Sequence, residues 1–241
     1  MHRDHFPILI LNARPGAGKS EIIDYLQRIP LEERRRRFHI GELDIIDDFP
    51  MLWTWFEEDE ILSRMGKPRL HTDTHNYFKY PYLWHVLIER LGLEYAKRRR
   101  DHPDYHTRTT TLIEFSRGAE HGGYREAYQH LTPEIVAEAC IVYVHVTYEE
   151  SLRKNRARFN PDRPDSILEH GLDDKKLERL YRHDDWQALT AADPHYLTLQ
   201  GQRVPYTVFD NLDDVTTSRG PELGQRLEET LDRLWRLYQQ R

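Results

Sequence analysis

Residues 8–20 read ILILNARPGAGKS. An apolar run ends in a short glycine-bearing loop, and Gly18-Lys19-Ser20 follows at once. With Phe6 and Pro7 in front, residues 6–12 predict a short buried strand. Ile22, Ile23 and Leu26 share one face of a helix predicted over 18–28, and Pro30 ends it. Strand, loop and helix in that order make a holder for phosphate. Gly16 and Gly18 let the backbone turn N–H groups inward around anionic oxygens. The helix starting near Gly18 aims its unpaired N–H groups and positive dipole end at the same anion. Lys19 places a positive charge against β- and γ-phosphates, and the Ser20 hydroxyl is placed to ligate magnesium.

Ala13-Arg14-Pro15-Gly16-Ala17-Gly18-Lys19-Ser20 is a Walker A pattern with alanine in place of the first glycine. The whole of 13–20 is therefore the expected ATP-binding loop. Arg14 stands in it either against phosphate or in solvent.

Working outward, apolar strand-like runs alternate with helical periodicity. Strands are predicted at 6–12, 38–43, 110–115, 140–146 and 205–209. Helices are predicted at 49–65, 77–100, 120–129 and 133–140, after the fourth strand, and from Pro221 to Gln240. Residues 196–209 read as a hairpin turning near Gly201, its second arm being the last strand. This alternation predicts a three-layer α/β sandwich around a mainly parallel five-stranded sheet. The 241 residues suit a single domain, 1–241. About 65 residues separate the second and third strands, far more than a crossover needs, so 49–108 is expected to carry a function of its own.

The formal net charge of −6 argues against a nucleic-acid coat or an anionic-membrane binder. A single cysteine, Cys140, excludes a disulfide framework and points to a reducing compartment. With no apolar stretch of membrane-spanning length and no signal-like start, the cytoplasm is the expected location.

Phosphoryl transfer also needs carboxylates near the magnesium and the acceptor. In a doubly wound sheet they belong at the carboxyl ends of the strands. Asp44, with Glu42 beside it, is the expected acid of the second strand end, serving the acceptor. Asp47 and Asp48 beyond it read as a solvated turn. Glu114 follows Leu112-Ile113 as a Walker B carboxylate would and is expected to organise magnesium. Arg117 is placed either to pair with Glu114 or to hold a substrate phosphate. Arg153 and Arg156, three apart on one helix face, lead into Arg158 and Arg163 near the proline-bearing segment 160–165. Such arginines neutralise a transferring phosphoryl group, or else belong to a solvated helix paired with Glu149 and Glu150.

At this point the chain resembles the P-loop kinase superfamily, which includes nucleoside monophosphate, deoxynucleoside, shikimate and gluconate kinases. The resemblance rests on the Walker loop at 13–20, Asp44, the IEFSRG segment at 113–118 and the arginines of 153–163, and it spans residues 6–165. It implies strand order 2-3-1-4-5, an acceptor-side insert at 49–108 and a lid at 149–186. It also implies ATP and Mg2+ as cofactors, and a small-molecule acceptor such as a nucleoside or nucleotide. Asp44 would then lie near the acceptor and Arg153, Arg156 and Arg158 in the lid. No Asp-Gly-Phe-Pro-Arg or Asp-Arg-Ser segment follows the third strand, so the resemblance does not assign the acceptor.

Two other classes compete. One is an ATPase or switch acting on a partner; the Asn-Lys-x-Asp segment of GTP switches is missing. The other is a nucleic-acid-end kinase using the basic runs Arg34–Arg37 and Lys97–Arg100, against which the acidic net charge stands. The aromatics of 49–108 (Trp53, Trp55, Phe56, Tyr77, Phe78, Tyr80, Tyr82 and Trp84) suit either base stacking or a helical core. His71, His75 and His85 with Asp73 have no compact zinc spacing. The oligomeric state is open.

Overall fold

The computed structural model describes residues 3–158, 162 and 172–241. Its centre is a sheet of β1 (Ile8–Ala13), β2 (Glu42–Asp47), β3 (Thr109–Phe115), β4 (Ala139–His145), β5 (Tyr196–Leu199) and β6 (Gln202–Asp210). The strand order is β2-β3-β1-β4-β6-β5. Every pairing is parallel except β5–β6, the expected hairpin, which turns at Gly201 with φ +79°. The sheet thus has six strands rather than five, because the first hairpin arm also joins it as an antiparallel edge.

The period-two alternation of the central strands sorts their side chains to two cores. Ile8, Ile10, Ile113, Phe115, Ile141 and Tyr143 face one layer. There they meet Ile88 and Leu91 of α4 (Leu83–Asp101) and Tyr124 and Tyr128 of α5 (Gly123–Gln129). Leu9, Leu11, Leu112, Val142 and Val144 face the other. They meet Ile22 and Leu26 of α1 (Lys19–Arg28) and the leucine stripe of the last helix, Pro221–Gln239. Both sheet faces are covered, as parallel strands require.

The second strand begins four residues later than the sequence suggests. Residues 31–38, which include the arginine run, form α2 (Leu31–Phe38), closed by His39 in the left-handed region at φ 54°. Arg34 and Phe38, one turn apart, point inward. The Arg34 guanidinium satisfies the carbonyls of Leu26, Ile29 and Gly41. The arginine run is therefore helical, and the strand moves to 42–47.

After β2 the chain forms α3 (Phe49–Arg64), a loop, and α4, which starts at Leu83 rather than 77 because Pro81 keeps the preceding turn out of the helix. No helix among the described residues is long and apolar enough to cross a membrane.

Candidate active site

The loop after β1 is rooted by Asn12. Its buried amide donates to the Phe115 carbonyl (3.0 Å) and accepts from the Tyr128 hydroxyl (2.7 Å). Gly16 and Gly18 then take φ +72° and +106°, a region closed to most side chains. The space is closed as well. A Cβ on Gly16 would lie 3.1 Å from the Ser151 carbonyl oxygen, and one on Gly18 would lie 2.4 Å from Thr216 Oγ1. Those neighbours come from α7 (Tyr148–Arg158) and from a short helix, Val215–Ser218. Ser151 Oγ donates to the Pro15 carbonyl at 2.7 Å, and Asn211 Nδ2 to the Ala17 carbonyl at 2.9 Å. The loop is clasped from both sides.

Arg14 reaches neither open solvent nor the loop's interior. Its guanidinium pairs with Asp184 at 2.9 Å and donates to the carbonyl of Tyr181 at 3.2 Å. It ties the loop to α8 (Asp174–Tyr181) and the segment after it.

Lys19 is buried at the start of α1, where its ammonium donates to Ser116 Oγ at 2.8 Å and lies 3.6 Å from Glu114 Oε1. Ser20 is exposed. Glu114 stands with Leu112 on the face that packs against α1, opposite its neighbours Ile113 and Phe115. On β2 the same alternation puts Asp47 on that face with Leu43 and Ile45, and parallel register sets Asp47 beside Glu114. Burial raises both carboxyls, and neighbouring carboxylates add to it. Asp47 is pushed up to about 8, chiefly by burial and then by Glu114 and Asp48. Glu114 is raised by burial, with the Lys19 charge pulling the other way. Arg158 lies within electrostatic reach of Glu114.

Asp44 has a different fate from the expected one. It lies opposite Thr111, three residues short of the strand end, on the α4 side with Ile46. Arg98 Nε pairs with it at 2.8 Å and the Tyr105 hydroxyl donates to it. The acid at the end of β2 is Asp47. With the strand running from 42 to 47, Asp44 falls mid-strand, and Asp47, three residues on and on the opposite face, takes the end.

Asp48 also departs from the solvated-turn reading. It is buried and pairs with Arg117 Nη1 at 2.6 Å. Arg117, itself buried, donates to the Trp84 carbonyl at 3.1 Å and lies over the Trp84 ring. It pairs with neither Glu114 nor an open anion site. It locks the end of β3 to the start of α3 and to α4.

Arg153 and Arg156 of α7 are exposed. Arg153 pairs with Glu150 at 2.6 Å and Asp214 at 2.7 Å, and Arg156 with Asp174 at 2.6 Å. On the same helix Lys154 is buried, bonding Asp214 at 2.8 Å and Thr216 Oγ1 at 3.0 Å beside the loop. Arg163 and most of the proline segment 160–165 lie outside the described residues. In the 49–108 segment the aromatic rings pack on each other. Trp55 stacks on His71 at 5.0 Å, and Phe78 meets Trp55, Phe56 and Trp84 edge-on.

This loop and the sheet order together are those of a P-loop kinase-like fold. No model of a known protein family matches the chain, and no curated protein matches it either. Among solved structures the chain is similar to Chaetomium thermophilum Kti12 in complex with ADP-AlF3. The identity is 16%, the TM-score 0.48, and the match covers 96% of this chain and 98% of that one. It is similar to a sugar kinase from Janibacter sp. HTCC2649 at 15% identity and TM-score 0.41, covering 96% of this chain and 98% of that one. It is similar to shikimate kinase from Acinetobacter baumannii in complex with shikimate at 15% identity and TM-score 0.30, covering 73% and 76%.

Sequence reasoning brought Lys19, Ser20 and Glu114 to one end of the sheet and missed Asp47, Ser116, Lys154 and the Asp48–Arg117 pair. The available signal was the spacing of Asp47, which lies on the same alternation as Leu43 and Ile45. It was hidden by the boundary assigned to the strand.

Proposed function

We propose that this chain transfers the γ-phosphoryl group of ATP to a small-molecule acceptor. The observation that carries this reading is the juxtaposition of Lys19 with Glu114 and Asp47 at the mouth of a pre-shaped phosphate loop. In the transfer, the bond from the γ-phosphorus to the β,γ-bridging oxygen breaks and one to an acceptor oxygen forms. ADP leaves, and the acceptor's proton passes to a carboxylate. Lys19 neutralises charge on the β- and γ-phosphates, and its bond to Ser116 Oγ keeps the ammonium aimed across the loop until they arrive. Asp47, at the end of β2 beside Glu114, stands in the place given from sequence to Asp44.

Mg2+ fits this donor set. Asp47 and Glu114 are hard oxygen ligands held close enough to repel each other, and Ser20 adds a hydroxyl. When bound, the ion supplies charge neutralisation across the β- and γ-phosphates.

A second reading is an ATPase or switch driven by a partner. Its supporting observation is that Arg153 and Arg156 are engaged by surface carboxylates.

The test is ATP consumption with and without a panel of nucleosides, nucleoside monophosphates, sugars and short oligonucleotides, run beside calorimetric ATP titration. Lys19→Ala is expected to cost at least about tenfold in affinity or turnover, about 1.4 kcal/mol. Equal affinity and equal turnover in the variant overturn the assignment. Turnover that no acceptor stimulates favours the second reading.

A further inference from the structure

A second cluster of ligating side chains lies apart from the phosphate loop, between α4 and α5. His85 is on α4; Glu126 is on α5 and His130 caps its end. One donor atom from each lies within 4.8 Å of the others, and all three residues are half-buried. We propose that His85, Glu126 and His130 form a binding site for a divalent transition-metal ion of the zinc class, clipping α4 to α5.

The chemistry of the set points to that class. Two imidazoles and one carboxylate, with a fourth position left to water, form the mixed nitrogen–oxygen set that zinc accepts. Tetrahedral zinc with bonds near 2.0–2.1 Å needs donors about 3.3 Å apart, so a modest rotation of half-buried side chains closes the site. The two imidazoles stack, their rings 4.5 Å apart and tilted by 19°, so the rings must turn for their in-plane nitrogen lone pairs to converge on one ion.

The surroundings are organised for it. Glu89, one turn beyond His85 on α4, holds His130 Nδ1 at 3.0 Å. A carboxylate behind an imidazole fixes the ring and makes it a better ligand, and here it leaves Nε2 for the metal. Glu126 folds back over Gly122, where a Cβ would lie 2.5 Å from Glu126 Cγ, so that glycine makes room for the carboxylate's path. Arg117, the nearby cation, is already paired with Asp48.

The site has a structural consequence. His85 follows Trp84, whose carbonyl accepts from Arg117, and Arg117 in turn holds Asp48 next to Asp47. A metal there stiffens the helix that supports the end of β2. The inference stands independently of the phosphoryl-transfer reading.

The experiment uses the full chain, purified without a polyhistidine tag and stripped with a chelator. Zn2+ is titrated in competition with a chromophoric chelator, and Co2+ is added to read coordination from its visible absorption. We expect one strong Zn2+ site per chain and a four-coordinate Co2+ spectrum. Thermal stability should rise with Zn2+ in the parent protein. His85→Gln and His130→Gln should each weaken binding by at least about tenfold and abolish the thermal shift, and Glu89→Gln should weaken it by about tenfold. These are partly exposed positions, and circular dichroism of the metal-free variants separates lost ligation from lost folding. Absence of stoichiometric binding at micromolar Zn2+ overturns the proposal. So does binding that survives in His85→Gln and His130→Gln but falls in a His71→Gln/His75→Gln variant, which would place the metal elsewhere.

Discussion

The phosphate loop and the α3 segment flank the same end of β2, yet they are held in opposite ways. Residues 13–20 are enclosed. Two glycines at positive φ are pressed by Ser151 and Thr216, carbonyls are satisfied by Ser151 and Asn211, and the lysine is buried against Glu114. Helix α3 buries only one side chain, and that one is a carboxylate, Asp59. Asp59 accepts from the N–H groups of Leu70 (2.6 Å), His71 (3.1 Å) and Thr72 (2.6 Å) and from the Thr72 hydroxyl (2.6 Å). Burial opposes its ionisation, but these donors outweigh it and hold the carboxyl below its usual range. Around it the rings of Trp55, His71 and Phe78 make a small local stack. One region is fixed by distant parts of the chain. The other is held mainly by its own loop around a polar hub, with Phe78 on Trp84 and Asp48 on Arg117 as its ties to the rest, so it opens more readily than the core.

The contrast can be broken in several places. Gly18→Ala puts a Cβ into Thr216 at a φ that alanine rarely adopts. ATP affinity is expected to fall by about 100-fold or more, read by calorimetry. A near-normal affinity would mean that the enclosure is not what shapes the loop.

Asp59→Ala removes the hub and leaves buried N–H groups without partners. The expected cost is about 2–4 kcal/mol, concentrated in faster hydrogen exchange over residues 66–78, with ATP affinity within about twofold of the parent. If affinity falls in step with exchange, the two regions act as one unit.

A smaller effect sharpens the electrostatic side. Asp47 is raised from its ordinary 3.8 to about 8, so the folded state binds this proton more tightly than the unfolded chain. That contribution is complete below about pH 4 and is lost as pH rises towards 8, so the parent protein loses stability across that window. Asp47→Asn should lose less, and should be the more stable by about 1–3 kcal/mol at pH 8 in denaturant unfolding without Mg2+. Added Mg2+ should narrow the difference. A variant whose pH profile parallels the parent's would remove Asp47 from the repelling pair.

The smallest effects belong to α7. Arg153→Ala and Arg156→Ala break exposed ion pairs, which contribute little to stability, so melting temperatures should stay within about 2 °C of the parent. Under the phosphoryl-transfer reading each should lower kcat by about threefold to tenfold, and more than it weakens ATP binding. An unchanged kcat in both variants favours the partner-driven ATPase.

What the sequence settled by itself is what depends on neighbours in the chain. The phosphate loop was legible because strand, glycines, lysine and helix follow one another within residues 8–28, and its chemistry needs only backbone N–H groups and one ammonium. The α/β alternation, the hairpin at Gly201 and the amphipathic last helix are equally local patterns. Tertiary structure alone decided which acid stands at the site. That choice turned on where β2 begins, which followed from Arg34 being drawn into a helix by the carbonyls of Leu26, Ile29 and Gly41. Side chains alternate along a strand, so Asp44 and Asp47, three residues apart, face opposite ways: Asp44 went to Arg98 and only Asp47 stands beside Glu114. The same holds for Arg14, claimed by Asp184, and for His85, which meets Glu126 and His130 only after β3 has carried the chain across the sheet. A polar side chain takes its partner from whatever the fold brings within about 3 Å, and for these residues that partner lies tens of residues away in sequence.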